Sequence, residues 1–156
     1  SPMTHAFRSF LSLILLCAPL YGQSQKKILD GLREFYKRTA QKDGSFTPGV
    51  DPKYQGMYDC AYSDLAAVTY ACTVHKTFGW ELPYEEKTIE WLHSRQNKDG
   101  SFFNVAGTVD PKSPQVKVYN TTQALVALHA LGAKPKHDPL PIFEEIAKGA
   151  HQTLPP

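Results

Sequence analysis

Apolar positions recur with a helical period along most of this chain. Between residues 24 and 40, Ile28, Leu29, Leu32, Phe35 and Tyr36 fall at i, i+1, i+4, i+7 and i+8, one stripe of a helix. A second helix is expected from residue 59 or 63 to residue 78. Ala61, Leu65, Val68 and Cys72 form its apolar face, with Ala66, Ala67 and Ala71 beside them. So many small residues suit a helix packed on more than one side. A third helix is expected over 84–97, where Ile89, Leu92 and Gln96 share a face and Glu85 and Glu86 complement the dipole of the first turn. A fourth, over 120–131, carries Ala124, Leu125, Leu128 and Leu131. Asn120 is read as its N-cap and Gly132 as its C-cap, with Pro135 preventing continuation. A fifth opens at Pro141 and carries Ile142, Phe143 and Ile146. Helices one, three and five are charged and amphipathic; two and four are rich in alanine and poor in charge. That alternation predicts an all-α fold in two layers. No strand pair and no dividing linker is read.

The loops repeat as well. Lys42–Phe46 and Lys98–Phe102 both read Lys-Asp-Gly-Ser-Phe, and each is followed by Val-Asp-Pro-Lys, at Val50–Lys53 and Val109–Lys112. After each come a tyrosine and an apolar helical run. A repeat of this length is a supersecondary unit that buries its apolar face by stacking on its neighbours. Gly44 and Gly100 are therefore expected in equivalent turns.

Composition narrows the function classes. Hydrophobic residues make up 42%, enough for a packed core, and a net charge of +2 gives no basic face for nucleic acid. Arg8 followed by the apolar run Phe10–Ala18, with Pro19 and Gly22 behind, reads as a signal peptide over residues 1–22. Export to the periplasm or outside the cell is the expectation, with no stable membrane span once the signal is cleaved. Cys60 and Cys72, on one helix, would stand about 18 Å apart, beyond the ~7 Å a disulfide spans. They are read as small buried hydrophobes. His75 and His93 are read as residues of solvated faces, and His129 as a core or cavity residue.

Gln96-Asn97-Lys98-Asp99-Gly100-Ser101-Phe102 fits Q-x3-G-x-W/F. It resembles the repeat of squalene and oxidosqualene cyclases and of protein prenyltransferase β-subunits. Trp91-Leu92 before it and Tyr119–Leu125 after it agree with that resemblance. The earlier copy is degenerate, with Ala40 in the glutamine position. The resemblance covers residues 28–146, within a repeat region of 24–152, and implies an α/α toroid. In the family it resembles, about five to seven hairpins close such a ring. Here there are about two and a half, so the resemblance implies an arc, or a piece of a larger toroid binding an apolar or isoprenoid-like ligand. In the motif, the glutamine amide is expected to bond backbone N–H groups near the start of a neighbouring helix.

The family's chemistry is not carried over. The cyclases' D-x-D-D is absent, and Asp59-Cys60 lacks the spacer of the prenyltransferases' D-x-C. No catalytic residue, metal ligand or cofactor is assigned. In a toroid the N-terminal ends of inner helices face the cavity, which nominates Tyr58, Asp59, Tyr62, Asp64, Phe103 and Tyr119 as ligand-binding residues. The expected partners are an apolar small molecule, a partner protein, or a second copy of the chain by self-association. A non-catalytic scaffold module is the alternative reading. A polysaccharide lyase or hydrolase is the next, needing paired carboxylates such as Asp59 and Asp64.

Overall fold

A computed structural model describes residues 24–153; the expected signal segment 1–22 lies outside the described residues. Six helices and no strand occur among the described residues: α1 (24–39), α2 (Asp59–Tyr62), α3 (Asp64–Phe78), α4 (Glu85–Ser94), α5 (Pro114–Ala130) and α6 (Leu140–Thr153). The fold is all-α, as the periodicity predicts. The chain divides into two units after Tyr36, a point that falls within α1. In the first unit, Leu29, Leu32 and Phe35 of the apolar stripe are half-buried and Tyr36 is buried, while Ile28 is exposed. The rings of Phe35 and Tyr36 meet edge to face, with centroids 5.2 Å apart.

In the second unit the core forms where α3 packs along α5; α4 and α6 also pack on α5, and α2 on α3. Leu65, Ala66, Ala67, Val68 and Thr69 are all buried, five residues in succession, so α3 is enclosed on every side at its start. Alanines permit this because a helix flanked closely on several faces has no room for larger side chains. Thr69 Oγ1 donates to Gln123 O at 2.9 Å and ties α3 to α5. Ser63 caps α3 by accepting from the Leu65 N–H, and Gly79, left-handed at φ 63°, ends it.

The two loop copies adopt one geometry. Asp43 Oδ1 accepts from both the N–H and the hydroxyl of Ser45, as Asp99 Oδ1 does from Ser101. Gln41 N donates to Ser45 O, as Asn97 N donates to Ser101 O. Gly44 and Gly100 have φ of 90° and 88°. Isolated bridges join Ala40 to Phe46 and Gln96 to Phe102, and both phenylalanines are buried. Farther on, Asp51 and Asp110 accept from the amides of Lys53 and Lys112. The hydrogen bond from the Ser101 hydroxyl is the main cause that holds the Asp99 carboxyl down at about 2.

Each turn docks on the start of a later helix. Thr88, in the first turn of α4, donates its hydroxyl to Gly44 O at 2.9 Å. Gly100 packs against Asp138 and Pro139, just before α6. Gln96 extends the second docking: its Oε1 accepts from the N–H groups of Lys136 and His137 at 2.8 and 3.1 Å, and its Nε2 donates to His137 O at 2.8 Å. Gln96 thus ties the second turn to the segment that leads into α6. In the first copy Ala40 has no such reach. Replacing Gln96 by Ala should lower stability by about 1–2 kcal/mol. Hydrogen exchange should show the loss concentrated in the amides of Lys136 and His137.

Three sequence expectations are corrected. The fourth helix (α5) opens at Pro114, not near Asn120, because Pro114 takes its first position. Asn120 is therefore no cap: it lies fully buried in mid-helix. His75 is buried, not solvated. Its Nδ1–H donates to Ala71 O at 2.7 Å and its ring meets Trp80 edge to face. His129, expected inside, is exposed, because the buried side of α5 is carried by Ala124, Ala127 and Leu128.

Candidate functional site

Local structure around α2 builds the candidate site. α2 is a single turn, entered through Tyr58 at φ 49° and ψ −124°, and left through the extended Ser63. The loop after the second turn lies across this junction. Thr108 N donates to Ala61 O at 3.0 Å, Val109 N to Tyr62 O at 3.2 Å, and Asp64 N to Ala106 O at 3.2 Å. Gly107 permits the approach, since a Cβ there would stand 2.2 Å from Tyr62 O.

Behind the loop runs a buried polar chain. Ser63 Oγ donates to Asn120 Oδ1 at 2.8 Å, and Asn120 Nδ2 donates to Asn104 Oδ1 at 2.8 Å. Asn104 Nδ2 in turn reaches Val109 O at 3.2 Å. Thr121 continues the same layer by accepting from the Phe102 N–H. These groups fix the 103–109 loop to both α3 and α5.

In front of the junction lies a cleft of about 370 Å³. The first repeat loop forms one wall with Phe46, Pro48, Pro52 and Tyr54. Cys60 and Ala61 of α2 and Asp64 and Ala67 of α3 form the other, and the backbone around Gly107 bounds it. Its volume lies in the range of small-molecule sites, and most of its lining is apolar.

Asp64 is the acid of this cleft that is sheltered from solvent. Its side chain is 19% exposed, with Oδ2 3.7 Å from Arg95 Nη2 and Oδ1 3.3 Å from the Val105 amide. Burial pushes its carboxyl above the ordinary aspartate value; the Arg95 charge and the loop amides oppose that shift. Arg95 lies over the Trp91 ring, 4.5 Å from its centroid, and its buried Nε has no hydrogen-bond partner. Cys60, also in the lining, is held protonated by burial and by the charge of Asp59.

Of the six ligand-binding residues nominated from sequence, Asp64 alone lines the cleft. Asp59 and Tyr119 come together elsewhere. Asp59 Oδ2 accepts from the Tyr70 hydroxyl at 2.6 Å, and the Tyr119 hydroxyl stands 3.5 Å from Asp59 O. Burial, then the charge of Asp59, raises the Tyr119 phenol. Tyr58 and Tyr62 are exposed and Phe103 is half-buried; none of the three lines the cleft. Asp59 and Asp64 thus bind different partners, and of the acid pair nominated for a glycan-cleaving reading only Asp64 lines the cleft. Sequence reasoning missed Phe46, Tyr54 and Arg95. The first two sat in a repeated loop that reads as structural punctuation, and Arg95 is 31 positions from the carboxylate it meets.

A second cleft, also about 370 Å³, is lined by Cys72, His75, Trp80 and Glu85 at the far end of α3. Burial pushes the Cys72 thiol up to about 12, so it is no nucleophile. Among the described residues, no three His, Cys, Asp or Glu side chains gather as a metal site would require. No helix of the described residues is long and apolar enough to cross a membrane. Comparison with family models, curated proteins and solved structures finds no match to this chain.

Proposed function

We propose that this chain is an exported helical-hairpin repeat protein of the squalene-cyclase and prenyltransferase kind. Its role is to bind an apolar small molecule in the cleft between the first repeat loop and α3. The observation that carries the binding role is the cleft itself: an apolar lining of suitable volume with one sheltered carboxylate in its wall. The repeat supports the class, because the two turns share a geometry and Gln96 staples the second hairpin as the family motif implies. The Arg8 and Phe10–Ala18 pattern supports export. The reading assigns binding and not turnover: the sequence carries neither of the family's acidic and zinc-binding elements.

The test is titration of the full chain with 1-octanol and with farnesol, followed by calorimetry. Saturable binding with one site per chain is expected. Replacing Ala67, at the cleft wall, by Phe should weaken it at least tenfold. Binding that Ala67→Phe leaves unchanged would place the ligand elsewhere. Absence of saturable binding would favour the scaffold reading.

A further inference from the structure

We propose that the ligand of this cleft carries a cationic amine head on its apolar body, with Asp64 as the counter-ion. The proposal rests on the cleft being the binding site. Its first support is the charge of the lining. Asp51 and Asp64 both line the cleft, whereas no lysine or arginine does. An anionic head would meet two carboxylates, and a neutral one would leave Asp64 with the Arg95 guanidinium, at 3.7 Å, as its counter-charge.

The second support is how loosely Asp64 is held. A carboxylate has about four acceptor sites, and charge-assisted bonds to it span about 2.7–2.9 Å. Asp64 has an amide at 3.3 Å and a guanidinium at 3.7 Å, both beyond that range. Arg95 divides its guanidinium between the Trp91 ring and this long contact to the carboxylate. The cleft therefore presents a sheltered anion held by loop amides and by Arg95 at long range. An ammonium group supplies short donors to it and offsets the burial that disfavours its charge. The aromatic side chains of Phe46 and Tyr54 stand in the same lining, Tyr54 the more exposed of the two. Cys60, in the same lining, is kept neutral by burial and does not compete.

The experiment compares n-octylammonium, 1-octanol and octanoate, each below its micellar concentration, by calorimetry on the full chain at pH 7. Octylammonium should bind at least tenfold tighter than 1-octanol, a difference of about 1.4 kcal/mol, and octanoate weakest. Asp64→Asn should abolish the preference while leaving 1-octanol binding in place. Equal binding of octylammonium and 1-octanol to the unmodified chain overturns this inference and leaves the cleft reading standing. A preference that survives Asp64→Asn overturns the role of Asp64. Binding of none of the three overturns the cleft reading and this inference with it. If Asp64→Asn fails to fold, salt gives the same decision on the unmodified chain. Raising it from about 0.05 to 0.5 M should weaken octylammonium several-fold and leave 1-octanol unchanged; equal insensitivity contradicts the proposal.

Discussion

Replacing Gly100 by alanine should lower the free energy of unfolding by about 3 kcal/mol or more. Two effects combine there. The backbone has φ 88°, which L residues rarely adopt, and the new Cβ would stand 2.0 Å from Asp138 O and 2.9 Å from Pro139 Cα. Both neighbours are backbone, so no side chain can swing aside. The hairpin must instead part from the segment leading into α6. Gly79→Ala separates the two effects. Gly79 is also left-handed, at φ 63°, but a Cβ there meets nothing within 4 Å. That variant should lose only about 1–2 kcal/mol, the cost of the left-handed backbone alone. Gly44→Ala should behave like Gly100→Ala, since its Cβ would stand 2.2 Å from Lys87 C. Urea unfolding of the three variants measures the difference. Equal small losses in all three would mean that the turns do not dock as described.

Asn120→Ala should cost about 2–4 kcal/mol. The amide side chain connects Ser63 to Asn104, and all three residues are buried. Truncation strands a hydroxyl donor on one side and a carbonyl acceptor on the other, where no bulk water reaches them. Ser63→Ala should cost less, about 1–2 kcal/mol, although it also removes the cap of α3. The double variant should fall short of the sum of the two losses, because both substitutions break one network. Thermal unfolding of the four proteins checks this. Strict additivity would show that the bonds do not act together.

Much of the fold could be read along the chain, and the reasons are physical. Helical period and glycine ends are local signals, so α3 and α4 were placed to within a residue or so at most ends. The Lys-Asp-Gly-Ser-Phe copies predicted equivalent turns because the Asx bonds and left-handed glycines that build them lie within five residues. The start of α5 was misplaced because Asn120 looks like a cap in isolation. Its partners, Ser63 and Asn104, are 57 and 16 residues away. The histidines failed for the same reason: whether His75 or His129 is covered depends on which side of each helix meets its neighbour. At the candidate site, Asp64 is legible from its place at the start of an alanine-rich helix. The wall opposite it was missed, since a loop of Pro48, Pro52 and Tyr54 carries no periodicity to read.

The central claim is that an apolar ligand occupies the cleft between the first repeat loop and α3. Its most direct test is amide chemical-shift mapping of the full chain during titration with 1-octanol. The account predicts saturable shifts confined to the amides of Thr47, Cys60, Ala61, Asp64, Ala67 and Thr108, with His75 and Trp80 at the other cleft unmoved. Shifts centred on Cys72, His75 and Trp80, or spread evenly over the helices, would contradict it.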